Sequence, residues 1–226
     1  MPDLLPPHSK KAVMIFFDYF RSSAGFRVRI ALRLKRIEVE RRPVHLRKGE
    51  QRDSGFLAIN PQGLLPALVL DDGAVLTQSL AIIEYLDSLS EENPLIPEQP
   101  LEAARVRQLS QLIACELHPL NNLRILNYLK EPLGHEQSEV NTWYQHWVES
   151  GFTAFERLIV EHAPDAHYCL GNSLTMADVC LVPQVFNAQR FNCPLEAYPK
   201  LMDRYERLAA LPEFEKSFPQ EQPDAE

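Results

Sequence analysis

Three groups of residues in this chain have the types and spacing for chemistry. Arg21-Ser22-Ser23 joins a short apolar run to a helical pattern. Hydroxyls at such a turn sit beside the orphan N–H groups and the positive end of a helix, a place that favours an anion. The ordinary reading of the same serines is helix capping. Arg21, His118, Arg124 and Arg190 form the second group. Guanidinium forks match carboxylates, although arginines of an acidic protein are mostly surface partners and a lone histidine before Pro119 is more often a packing residue. The third group is Gln51, Leu65-Pro66 and Gln78-Ser79. Ser79 is expected to cap a helix, Pro66 reads ordinarily as a trans proline opening an edge strand, and a loop glutamine such as Gln51 is usually only solvated.

Strands and helices that could position these groups are legible in the pattern. Val13 to Phe17 is a strand-length apolar run, followed by a helix in which Val28, Ala31 and Leu32 fall at i, i+3, i+4. A second strand is expected over Arg42 to Leu46. Two strands around Asp71-Asp72-Gly73 make a hairpin, and Ile82, Tyr85, Leu86 and Leu89 mark the next helix. Residues 13–89 therefore read βαβ, a short irregular or helical piece, then ββα. The segment 90–100, SEENPLIPEQP, has the prolines and acidic residues of a linker, and 101–226 read as all helical. One stripe runs from Val140 through Trp143, Tyr144, Trp147, Val148, Gly151, Phe152, Phe155 and Leu158 to Ile159 over five turns. Thr175-Met176-Ala177-Asp178 fits a capping box, so a helix should start at Met176. Residues 1–12 read as an N-terminal tail outside the fold.

Bulk properties narrow the function classes. With 31 acidic against 23 basic residues and a net charge of −8, a duplex nucleic acid is a poor partner. No apolar run approaches the ~20 residues of a membrane helix, so no membrane association is expected. The four cysteines, 115, 169, 180 and 193, form neither a CxxC pair nor a metal-type cluster. No metal is expected, and a reducing, cytoplasmic compartment is the simplest fit.

Four strings together carry a resemblance. Arg21 to Leu32, RSSAGFRVRIAL, resembles the signature of zeta-class glutathione transferases, with Ala24 where that family usually has cysteine. Asn60 to Pro66 resembles the family loop that ends in a cis-proline. Gln78 to Leu86 resembles the segment that grips a γ-glutamyl group, and Leu174 to Val185 the capping-box helix with its Leu-Val-Pro-Gln continuation. The likeness spans roughly residues 13–218. It implies an α+β fold: a thioredoxin-like βαβ-ββα domain followed by an all-helical domain, acting as a homodimer with glutathione as coenzyme.

The resemblance also distributes roles. It makes Ser22 the hydroxyl that activates the glutathione thiol, with Arg21 beside it as a catalytic and substrate-binding residue. Ser23, Gln51, the exposed backbone of Leu65 before a cis Pro66, Gln78, Ser79 and Asn121 are implied glutathione contacts. The string His118 to Arg124, similar to the corresponding helix of bacterial maleylpyruvate isomerases, and Arg190 are implied to hold a maleyl keto-acid. The implied reaction is addition of the thiolate to the cis double bond, rotation, and elimination to the trans product. Maleylacetoacetate is the first substrate expected and maleylpyruvate the alternative. Two other readings stand beside it: a conjugating transferase, in which Tyr19 would replace Ser22 as activator, and a glutathione-binding protein without turnover, to which Ala24 gives some footing.

Overall fold

The computed structural model describes residues 13–226, so the expected tail over 1–12 lies outside the described residues. The chain divides into two compact units, residues 13–92 with Glu215–Glu226, and Asn93–Phe214. Segment 215–226, which the sequence pattern places with the helices of the second half, thus belongs with the first unit.

In the first unit, β1 (Ile15–Asp18) leads into α1 (Ser23–Leu34), then β2 (Glu40–Pro43) and α2 (Ser54–Ile59). The hairpin β3 (Ala67–Val69) and β4 (Val75–Thr77) and then α3 (Ser79–Ser88) complete the βαβ-ββα order. The sheet runs β2-β1-β3-β4, with β2 parallel to β1 and the other neighbours antiparallel. Every residue of β1 is buried, which is why its pattern is a continuous apolar run rather than an alternation. Ile15 and Phe17 face one way, onto Val44, Phe56, Ala67 and Val69, and each such side chain contributes about 2 kcal/mol of burial. α1 is covered more completely than its three periodic positions imply, since Arg27 and Arg29 are buried along with Phe26, Val28, Ile30, Ala31 and Leu32.

Two boundaries differ from expectation. β2 ends at Pro43, two residues after which His45 turns its ring back: Nδ1 accepts from Lys48 N at 3.2 Å and caps a short 3-10 turn at Leu46–Lys48. The local cap interrupts the strand expected to reach Leu46. Likewise Ser79 is the first residue of α3 rather than its cap. Gln78 is the N-cap, its backbone at φ 70° and its carbonyl accepting from Ile82 N at 3.0 Å. In the hairpin, Gly73 takes the φ of 88° that the turn requires.

The second unit is helical: α4 (Pro100–Gln111) passes into a π-helical turn at Leu112–Leu117, followed by α5 (Leu123–Lys130), α6 (Gln137–His162), α7 (Met176–Arg190) and α8 (Pro199–Ala209). α6 buries Val140, Tyr144, Val148, Phe152, Phe155 and Ile159 from the expected stripe. α7 starts at Met176, where Asp178 Oδ2 accepts from both Thr175 N and Thr175 Oγ1 at 2.8 Å, and Oδ1 from Cys169 N at 2.8 Å. Burial raises the Asp178 pKa, and these hydrogen bonds pull it back. Among the described residues, no helix is long and apolar enough to cross a membrane.

The tightest approach in the first unit is at Gly25, in the first turn of α1. A Cβ there would overlap Asp18 Oδ1, and Asp18 is fully buried and held by Arg29 and Arg41, so it cannot yield. Gly25→Ala should therefore cost about 1–3 kcal/mol in urea unfolding; an unchanged midpoint would show that the turn relaxes freely.

Candidate active site

Ser22 closes the β1–α1 turn as the N-cap of α1. Its backbone is extended at φ −69° and ψ 116°, its N–H donates to Tyr19 O at 2.8 Å, and its Oγ accepts from Gly25 N at 3.0 Å. Capping is thus real, and it uses only a lone pair. The O–H of Ser22 is spent on none of the described hydrogen bonds, and a hydroxyl that accepts from an amide is a better donor for it. Ser22 is 9% exposed. Ser23 follows as the buried first residue of the helix, and half-buried Arg21 lays its guanidinium carbon 4.9 Å from the centre of the Phe20 ring.

Tyr19 is packing. Its ring lies 4.8 Å from Phe20 and 5.0 Å from His45, its hydroxyl is buried without a partner among the described residues, and burial raises its pKa despite the nearby Arg21.

A second helix N-terminus lies in the same unit, at α3. Gln78 makes no side-chain cap, so the first N–H groups of α3 are left for an outside acceptor. Ser79 Oγ accepts from the buried Arg27 Nη1 at 3.1 Å, which again leaves a hydroxyl hydrogen to give. Gln78 Nε2 donates to Gln62 Oε1 at 3.0 Å. Leu65-Pro66 is cis, and β3 begins only at Ala67, so the Leu65 backbone N–H and C=O enter no described hydrogen bond. Gln51, in the 3-10 turn Glu50–Arg52, has a buried Oε1 with no hydrogen-bond partner among the described residues. Among the described residues, two hydroxyls, two helix N-termini, a strip of backbone outside the ladder and an amide oxygen without a partner thus lie on one unit.

The second unit holds the remaining expected residues. The string His118 to Arg124 is not the single helix expected. Pro119 has no N–H to continue the π turn, so the chain turns and restarts where Asn122 Oδ1 accepts from Arg124 N at 3.2 Å. His118 Nε2 lies 3.4 Å from Asn122 Nδ2. Asn121 is buried, its Nδ2 donating to Tyr144 O at 3.2 Å and its Oδ1 without a partner among the described residues. Arg124 is exposed in the first turn of α5. Arg190, exposed at the end of α7, donates from Nη1 to Asn187 Oδ1 at 3.2 Å and lies close enough to oppose the burial-driven rise of the Tyr144 pKa. No group of His, Cys, Asp and Glu among the described residues could hold a metal ion.

Residues 21–89 match the glutathione S-transferase N-terminal domain model, and 123–216 match the C-terminal one. Over 214 residues the chain is 47% identical to the probable maleylacetoacetate isomerase of Vibrio cholerae, covering 94% of this chain and 98% of that one. A solved holo structure of maleylpyruvate isomerase, a bacterial zeta-class glutathione S-transferase, superposes with a TM-score of 0.89 at 39% identity, covering 94% of this chain and all of that one. The chain belongs to the zeta-class glutathione transferase family. A maleylacetoacetate isomerase from Methylobacterium extorquens, solved with bound malonate and GSH, superposes with a TM-score of 0.90 at 37% identity and covers 94% and 99% of the two chains.

In this zeta-class chain, sequence reasoning missed Asp18, Arg29, Arg41 and Asp224, which build the turn beneath Ser22. An aspartate closing an apolar strand and arginines within an apolar helix were the available signals. All four cysteines lie in the second unit, so no protein thiol shares a unit with Ser22.

Cys115 is exposed, while Cys169, Cys180 and Cys193 are buried. Burial raises the Cys169 pKa well above that of an ordinary thiol and pushes Cys193 up to about 11. A raised pKa keeps a thiol protonated, leaving roughly 0.1% thiolate at pH 8 for a pKa near 11. An aromatic disulfide reagent at pH 8 should therefore modify one thiol per native chain quickly, and all four only after unfolding; several fast thiols would contradict this packing.

Proposed function

We propose that this protein is a glutathione-dependent cis-trans isomerase of maleyl keto-acids, with maleylacetoacetate as its first substrate. The observation that carries the reading is Ser22: an N-cap whose Oγ accepts from Gly25 N at 3.0 Å and whose O–H is left to donate. Glutathione fits the residues present, because the open α3 N-terminus suits a carboxylate and the Leu65 backbone suits an added peptide strand. When bound, glutathione supplies a thiolate that adds to the cis double bond, so that rotation can occur before it leaves unconsumed.

The chain's own residues have separable tasks in this reading. Ser22 donates its O–H to sulfur and, with the positive end of α1, favours thiolate over thiol. Leu65 pairs its backbone with the cysteinyl unit. Gln78 and Ser79 take the γ-glutamyl carboxylate, Ser79 with its hydroxyl polarised by Arg27. Gln51, Ser23 and Asn121 complete the glutathione contacts. Arg21 is the arginine adjacent in sequence to Ser22; it orients a substrate carboxylate and opposes the negative charge that develops on the conjugated carbonyl oxygen. His118, Arg124 and Arg190 hold the second carboxylate and the keto-acid chain. The protein acts as a homodimer.

Maleylpyruvate is the second candidate, supported by the 39% identity to a maleylpyruvate isomerase of the same class. The two substrates differ mainly in what lies beyond the ketone, and both carry the carboxylates that the arginines serve.

Absorbance decay of maleylpyruvate and of maleylacetone, followed with and without glutathione, tests the reading. Wild type should turn over at least one of them only with glutathione present and without consuming it. Ser22→Ala should lose about a hundredfold in turnover, whereas Tyr19→Phe should stay within about threefold of wild type. Loss confined to the tyrosine variant would reassign the activator, and glutathione binding without turnover of either acid would sink the isomerase.

A further inference from the structure

The turn that presents Ser22 is held from outside by a closed circuit of charges. Phe20 N–H donates to Asp224 Oδ2 at 3.0 Å, from a residue 204 positions later in the chain. Asp224 Oδ1 lies 2.8 Å from Arg41 Nη1, an ion pair without hydrogen-bond alignment. Arg41 Nη2 and Nε reach Asp18 Oδ2 at 3.0 and 3.2 Å. The same oxygen accepts from Arg29 Nη1 at 2.6 Å, and Arg29 Nη2 closes the loop by donating to Phe20 O at 3.0 Å. Both backbone polar groups of Phe20 are thus fixed, one by Asp224 and the other by Arg29. Two residues later comes the hydroxyl that must meet a thiol.

Segment 215–226 is anchored at further points that keep Asp224 in place. Arg29 Nε donates to Ser217 O at 3.0 Å, the Phe218 ring meets Phe26 edge-on at 5.1 Å, and Gln222 Nε2 closes the segment on Lys216 O and Phe218 O. Glu226 Oε1 lies 2.6 Å from His45 Nε2. Because His45 Nδ1 accepts from Lys48 N, Nε2 is the nitrogen that carries the proton and donates. The segment therefore holds both the Ser22 turn and the entry to the 3-10 turns that carry Gln51.

We propose that Asp224 is a positioning residue for the active site: by holding Phe20 N–H it sets where the Ser22 hydroxyl and the Arg21 guanidinium stand. The inference rests on Ser22 as the activating hydroxyl only for its kinetic consequence; the geometric claim stands without it. Asp224 is only partly buried, with 17% of its side chain exposed, so the domain is not built around it. Its chemistry is that of an acceptor: an asparagine oxygen in the place of Oδ2 would still take the Phe20 N–H, while its Nδ2, a donor, would replace the ion pair with Arg41 by a donor–donor contact that Arg41 must turn away from.

Amide hydrogen exchange on the glutathione-free protein reads the claim directly. In Asp224→Ala, the amides of Phe20 to Ser23 should exchange about tenfold faster while the sheet and helix cores are unchanged, and in Asp224→Asn they should keep most of their protection. In turnover at saturating glutathione, Asp224→Ala should move the acid limb of the rate profile up by about half a pH unit, and Asp224→Asn should largely restore it. Unchanged exchange at Phe20 in the alanine variant overturns the proposal, as does an asparagine variant no better than alanine. If Ser22→Ala itself leaves the acid limb in place, the assignment of Ser22 fails, and the exchange result still judges the circuit.

Discussion

A carboxylate with no exposed surface stands where β1 ends, and much of the first unit is arranged to keep it there. Burying a lone carboxylate costs several kcal/mol unless the charge is paired and hydrogen-bonded. Asp18 meets that demand at Oδ2, which two guanidinium groups share, while Oδ1 has no hydrogen-bond partner among the described residues. This carboxylate forces Gly25 to lack a side chain, pairs with the buried Arg29 of α1, and ties β2 to the β1–α1 turn through Arg41. Burial pulls the Arg29 pKa down, and Asp18 opposes that fall.

Function follows from where this constraint puts the first turn of α1. The helix is entered through Ser22, whose hydroxyl satisfies one orphan amide with a lone pair and keeps its hydrogen. The same logic recurs at α3, where Ser79 accepts from Arg27. Both serines are more polarised donors because something buried donates to them, and both stand at the positive end of a helix. In the proposed reading, the thiol and the γ-glutamyl carboxylate of a tripeptide would meet these two positions, and its backbone the strip at Leu65, which enters no hydrogen bond among the described residues.

The sequence disclosed what is local. The apolar run at β1, the hairpin around Gly73, the stripe on α6 and the Thr175 capping box are each set by neighbours within a few residues, and each could be read from spacing. The Ser22 cap was legible for the same reason, since strand-to-helix turns announce themselves, whereas the cap of α3 falls one residue before Ser79, at Gln78. What stayed hidden depends on partners far along the chain. Nothing near Asp224 signals that it will meet Phe20, and periodicity marks Arg27 and Arg29 as polar without saying that they are buried. The ends of β2 and the break at Pro119 were misjudged because a side-chain cap at His45 and a restart at Asn122 outweighed a weak strand or helix pattern.

The central claim is that the β1–α1 turn of this protein stabilises a thiolate. Its most direct test is the ultraviolet thiolate absorbance of glutathione bound to the wild-type protein, titrated from pH 5 to pH 9. A free thiol of this kind ionises near pH ~8.5. The account predicts a bound thiol that ionises near pH ~6.5, giving roughly three-quarters thiolate at neutral pH. A bound thiol that still titrates near its free value would contradict it.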